Sequence, residues 1–293
     1  MTFVNGYRVV KNCIVAIVQK FHNKKPEFPE ILGTGFLISR DGIVCTCRHL
    51  ADAIRRLSGP SGYQGIPACC LLFTEIEQDG TKGVGIVNVD IESMGDADVW
   101  GDTSMYLGPN PPEVSLLLLS VRETPAVELA TEPLQEGEQV AFGGFPMGTR
   151  TLSAPGWLHQ FSPSLQSGIV SAILPHQSAP LPHAFLLDAN TQRGASGSPV
   201  FREGGKVVGM VYMALVNRET IGGGAGDAGF VYYTVPTSLT GCVPFPVLKQ
   251  VYDAAKSAFP TESRVTLAEY FHFCKPVMVG SGQSVFTEWR GSG

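Results

Sequence analysis

Gly33-Thr34-Gly35-Phe36-Leu37-Ile38-Ser39-Arg40-Asp41-Gly42-Ile43-Val44-Cys45-Thr46-Cys47-Arg48-His49-Leu50 is the stretch that decides how the chain is read. Two apolar runs, Gly35–Ile38 and Ile43–Thr46, flank Asp41-Gly42, a dipeptide that readily adopts the positive φ of a tight hairpin. Similar runs recur outward in both directions: Cys13–Val18, Cys69–Phe73, Gly85–Ile91, Ser115–Val121, Gln139–Phe142, Ser167–Ile173, Ala184–Leu187, Pro199–Phe201, Lys206–Ala214 and Gly229–Val235. Gly, Pro and Asp turns separate them, which predicts an all-β barrel or sandwich and excludes alternating βαβ units. Helical spacing is confined to Leu50–Leu57, directly after His49, and Val247–Ala258, after Pro246. The second of these, with Leu267–Phe273, predicts a short helical extension packed on the barrels.

The whole chain is consistent with that reading. Its 293 residues, 44% hydrophobic, supply a sizeable core, and 34 Gly with 21 Pro supply many turns. A formal charge of −5 without any run of Lys or Arg argues against nucleic acid or an anionic membrane as partner. Arg8, Lys11 and Lys20 interrupt the N-terminal apolar stretch, so no signal peptide is expected, and Leu116–Leu119 is far short of the roughly 20 residues that span a bilayer. The seven Cys include the adjacent Cys69 and Cys70 and predict reduced, buried thiols, hence a soluble cytoplasmic protein. A polar, Pro-punctuated seam from Glu123 to Glu138 suggests lobes at 1–125 and 126–240, an extension over 241–293, and a flexible tail from Val279 to Gly293.

Gly194-Ala195-Ser196-Gly197-Ser198-Pro199 surrounds one Ser with small residues that keep its hydroxyl accessible. Nucleophilic attack by such a hydroxyl needs a base and preorganised donors for the developing oxyanion. The N–H groups of Gly194 and Ser196 are candidate donors, with glycine free to take the required backbone conformation. His49, where a strand gives way to a helix, is the candidate base.

In order along the chain, Gly33–Ser39, Asp41–Leu50, Leu165–Val170 and Gly194–Phe201 resemble the trypsin-like peptidases, in particular the bacterial HtrA/Deg-like branch without its PDZ domain. The resemblance runs from Gly33 to Pro236 and implies two six-stranded antiparallel β-barrels with the site in the cleft between them. It places His49 and Ser196 on the family's base and nucleophile, Gly194 and Ser196 on its oxyanion hole, and Asn190, Met213 and Ala214 around its S1 pocket. An uncharged Asn190 predicts a medium apolar or polar P1 residue. The implied activity is that of a serine endopeptidase that needs no cofactor and acts on a peptide or protein substrate.

Two departures qualify the likeness. Where the family has its catalytic Asp, this sequence has Ser115, which leaves open a dyad steered by Ser115, a carboxylate reaching in from Glu113 or Asp102, or a decayed site. The last makes a pseudopeptidase, a protein-binding module, the alternative reading. Ala195 replaces the Asp that pairs with a new N-terminus in digestive trypsins, so control is expected from a regulatory protein partner and not from zymogen cleavage. An α/β-hydrolase built on Ser196, Asp227 or Asp253, and His272 would need a helix after the nucleophile, and Pro199 with a strand-like run follows instead. A metal site on Cys45, Cys47 and His49 lacks a fourth ligand. His22, His159, His176, His183 and His272 read as structural.

Overall fold

The computed structural model describes residues 3–19, 30–57, 68–78, 81–96, 106, 108–146, 162–221, 231–259, 264–274 and 277–279. The hairpin at Asp41-Gly42 forms as the dipeptide dictates. Strand β2 (Glu30–Ser39) pairs with β3 (Ile43–Thr46), and position 42 requires glycine twice over, by its φ of 73° and because a Cβ there would lie 2.1 Å from the Val121 carbonyl oxygen. Around this hairpin, β1 (Ile14–Gln19), β4 (Ala68–Gln78), β5 (Thr81–Asp96) and β6 (Ser115–Leu119) complete an antiparallel sheet. A strand near the C-terminus, β15 (Val277–Val279), adds to the β5 edge, making seven strands in the order β15-β5-β4-β1-β2-β3-β6. Strand β6 also pairs back onto β5, so the sheet curls into a partly closed barrel.

The second sheet closes fully. Strands β8 (Gln139–Gly144), β9 (Ser164–Leu174), β10 (Ala184–Asp188), β11 (Pro199–Phe201), β12 (Val207–Ile221) and β13 (Val231–Pro244) form a barrel in the order β10-β13-β12-β11-β8-β9. The expected mainly-β architecture is therefore present, with one closed six-stranded barrel. The first differs from the expected six-stranded unit because the C-terminal segment lends it β15. Ser196 is followed by β11 and not by the helix that the α/β-hydrolase alternative requires.

Packing joins the two sheets. Phe36, Leu37, Val44 and Leu116–Leu119 share one buried cluster with Phe201, Val207, Met210 and Val243 of the second barrel, and Cys45 Sγ lies 3.9 Å from Met210 Sδ. A smaller cluster, including Val140, Phe142, Phe185 and Leu187, fills the second barrel itself. Helix α1 (Phe3–Lys11) stacks Tyr7 on Phe201, an element the sequence reading did not anticipate. Helix α3 (Phe245–Ala255) starts with Pro246 in its first turn and buries Val247, Leu248 and Val251, close to the expected 247–258 span. Helix α4 (Leu267–Cys274) begins with a capping box in which Thr266 and Glu269 satisfy each other's backbone N–H groups. The expected flexible tail, apart from Val279, lies outside the described residues. Among the described residues no helix is long and apolar enough to cross a membrane.

Candidate active site

Helix α2 (Arg48–Leu57) starts two residues earlier than its periodicity predicts, with the Cys47 carbonyl accepting from both Leu50 and Ala51. Leu50, Ala51 and Ile54 face the core, which turns His49, in the first helical turn, outward to an exposed position. His49 thus turns away from the end of β3, where Cys45 and the following Cys47 are buried, and the three do not share one face as the metal reading required. No group of three or more His, Cys, Asp or Glu is placed to hold a metal among the described residues.

Glu113 meets the imidazole. Its Oε2 lies 3.2 Å from His49 Nδ1 and also accepts the His49 backbone N–H at 3.4 Å, so one carboxylate orients the ring and caps the helix start. Burial alone would raise the Glu113 carboxyl, but hydrogen bonding and charge from His49 outweigh it and hold the group below its ordinary value. Pro111 and Pro112 precede it, and Val114 anchors the turn by its burial and by donating to the Pro112 carbonyl at 2.8 Å.

Ser115 is elsewhere. It is fully buried between Thr46 and Asp96 in the register of β3, β6 and β5, and its hydroxyl donates to Asp96, not to His49. Asp96 in turn holds Arg55 of α2 at 2.7 Å. Ser115, expected in the family's acid position, thus touches the carboxylate that holds the His49-bearing helix, while the carboxylate in contact with the His49 ring is Glu113. Asp102 lies outside the described residues.

Ser196 sits half-buried in the loop before β11. Gly194 takes φ of 97° and Gly197 φ of 87°, conformations open to glycine and strained for other residues. Ala195 N–H donates to Gln192 O at 3.0 Å and Gly197 N–H to Val211 O at 2.8 Å, while among the described residues the N–H groups of Gly194 and Ser196 meet no acceptor. The Ser196 hydroxyl donates to the Tyr212 carbonyl at 3.3 Å and makes no hydrogen bond to His49. Of the expected pocket residues, Asn190 is exposed with its carbonyl 3.5 Å from Gln166 Nε2, and Met213 and Ala214 are exposed on β12, paired with Gly241 and Thr240.

Sequence reasoning missed Thr34 and Asp96 as parts of this region. Thr34 carried a signal in its two flanking glycines; Asp96 carried none.

The sequence matches the trypsin-like peptidase domain family over residues 33–210, more than half of the chain, and the protein belongs to that family. No curated protein sequence matches it significantly. Among solved structures, the HtrA-type protease AlgW, in a serine-to-alanine form with a decapeptide, is similar at 13% identity and a TM-score of 0.50, over 88% of this chain and 67% of that one. The same protease with a tripeptide is similar at 12% identity and a TM-score of 0.50, over 87% of this chain and 64% of that one. A serine endoprotease from Yersinia pestis is similar at 13% identity and a TM-score of 0.48, over 87% and 66% of the two chains. This chain thus spans about two thirds of the length of these proteins, and likeness at such identity is one of fold.

Proposed function

We propose that the protein is a serine endopeptidase in which Ser196 attacks, His49 moves the proton and Glu113 is the third member. The observation that carries this reading is the Glu113–His49 contact, which supplies the carboxylate that position 115 lacks. The Ser196 Oγ attacks the substrate carbonyl carbon as His49 Nε2 takes the hydroxyl proton. Glu113 keeps the Nδ1–H tautomer and balances the imidazolium. The oxyanion forms beside the Gly194 and Ser196 N–H groups, and its collapse expels the amine, which receives the proton from His49. Water then attacks the acyl-enzyme by the same route.

Asn190, Met213 and Ala214 border the P1 side chain, and the absence of charge on all three favours an uncharged residue there. The resting bond from Ser196 to the Tyr212 carbonyl fits an enzyme whose hydroxyl must swing to His49 before reaction, consistent with control by substrate or by a regulatory protein partner.

A fluorophosphonate probe tests the reading directly. Labelling mapped to Ser196, absent from Ser196→Ala and from His49→Ala, is the expected result. An intact, folded chain that stays unlabelled even with excess probe would instead favour the pseudopeptidase, a binding module on the same barrels.

A further inference from the structure

We propose that Thr34 is a positioning residue for the oxyanion-binding amides, acting through the carbonyl groups of the nucleophile loop; the inference rests on the catalytic reading of Ser196 above. Thr34 is fully buried on β2 and uses all of its polar atoms. Its N–H donates to the Ser196 carbonyl at 2.9 Å. Its hydroxyl donates to the Gly194 carbonyl at 2.7 Å and accepts from the Phe145 N–H at 3.0 Å. Its own carbonyl accepts from Thr46 Oγ1 at 2.8 Å.

The direction of this network is fixed by valence. The Phe145 N–H can only donate, so Thr34 Oγ1 accepts there and its single proton goes to Gly194. The carbonyls of Gly194 and Ser196 therefore both end on one residue of the other sheet. With those carbonyls tethered, the N–H groups of the same two residues meet no acceptor among the described residues. Each tethered carbonyl belongs to the peptide that follows the N–H in question, so the bonds from Thr34 hold the Gly194–Ala195 and Ser196–Gly197 peptides and, through them, the Cα pivots about which the Gly194 and Ser196 N–H groups turn.

Close packing holds the junction in place. A Cβ on Gly197 would lie 1.8 Å from the Thr34 carbonyl oxygen, and one on Gly144 would lie 2.8 Å from Thr34 Oγ1. Thr46 ends β3, three residues before His49, so Thr34 also ties the strand that delivers the base to the loop that delivers the nucleophile. Valine matches threonine in shape but offers neither proton nor lone pair, so the Gly194 carbonyl loses its bond from the Thr34 hydroxyl.

The test uses the full chain and three variants, Thr34→Ser, Thr34→Val and Thr34→Ala. It reads the rate of fluorophosphonate labelling at Ser196, and kcat, KM and the pH profile with p-nitrophenyl acetate. Since removing an oxyanion donor costs 10²–10³ in kcat, disordering the loop in Thr34→Val is expected to lower labelling rate and kcat on the order of 10- to 100-fold. KM and the pH midpoint should stay put, and Thr34→Ser should remain within about threefold of the parent because it keeps the hydroxyl. A folded Thr34→Val that reacts at the parental rate overturns the proposal, and so does a Thr34→Ser as slow as Thr34→Val, which would assign the effect to packing. If Thr34→Val does not fold, Thr34→Ala and Thr34→Ser decide by the same criteria. A parent chain unlabelled at Ser196 overturns the catalytic reading and this inference together, whereas equal labelling of parent and Thr34→Val overturns this inference alone.

Discussion

At His49 a single carboxylate oxygen serves both the ring and the backbone, and much of the proposed chemistry depends on that contact. Gln at 113 would keep the shape but lose the charge and could present an N–H₂ to Nδ1, favouring the wrong tautomer. Glu113→Gln is therefore expected to lower kcat on the order of 10²- to 10⁴-fold, as loss of the orienting carboxylate does in other His-based triads. Ser115→Ala, which removes a hydroxyl bonded to Asp96, should cost about 1 kcal/mol of stability and little rate. Equal losses of kcat in the two variants, measured side by side, would return the third role to Ser115. The same contact sets a pH dependence. Glu113 titrates below its ordinary 4.5 in the folded chain, so the stability it confers is present above that value and is lost as pH falls through the lower folded value. The melting temperature of the parent should exceed that of Glu113→Gln near about pH 5, and the gap should close on further acidification. A gap that persists into strong acid would mean the carboxylate contributes by packing alone. In the sequence, Ser196 and Gly194 stand out by their small neighbours and His49 by its place where a strand gives way to a helix. The third position was left open among Ser115, Glu113 and Asp102, because the family pattern reads position 115 while Glu113 lies in the bend before β6, where no strand period fixes its direction.

Among the elements, the C-terminal segment shows what local pattern reveals and what it omits. Helices α3 and α4 were marked by Pro246 and by apolar spacing, and the capping box at Thr266 and Glu269 is a purely local device. Two short strands were not visible: β14 (Val265–Thr266), which pairs in parallel with β7 (Val121–Arg122), and β15 on β5. Runs of two or three residues carry no period, and their partners lie far away in sequence. Helix α1 was missed for a related reason, being nine residues long with Gly6 in its middle, so its stability comes from Phe3 and Tyr7 packing on Phe201. Arg264 pins the returning segment: its guanidinium is buried and donates to the carbonyls of Asp41, Leu119 and Val121, where β3, β6 and β7 meet. Arg264→Ala should lower unfolding free energy by about 2–3 kcal/mol, since these bonds are charge-assisted and their acceptors stay buried. Chemical denaturation is the check. A change under about 0.5 kcal/mol, ordinary for a surface substitution, would show that the segment is held by its strands without the arginine.

For the molecule as a whole, the decisive feature is that one hydrophobic cluster runs across both sheets, so the two halves of the site depend on a shared core. Cys47 reports on that seam. It is fully buried and its Sγ lies 3.3 Å from the Val211 carbonyl of the second barrel, next to the strand residue whose carbonyl receives the Ser196 hydroxyl. Burial, with the nearby charge of Glu113 adding to it, pushes the Cys47 thiol well above its ordinary value. Thiolate is the reactive form, so in the native state Cys47 should be nearly inert to a thiol reagent such as dithiobis(nitrobenzoate). Cys13, Cys45, Cys70 and Cys242 are also buried and should share this protection, so the experiment needs a chain in which the other cysteines are replaced by Ala or Ser. In increasing urea, the rise in Cys47 reactivity and the loss of fluorophosphonate labelling at Ser196 should then coincide, because separating the sheets exposes the thiol and disperses the site in one step. Rapid Cys47 reaction in native buffer, with Ser196 still labelled, would show the opposite: that the seam opens without loss of the site, and that each barrel holds its share of the catalytic geometry without the other.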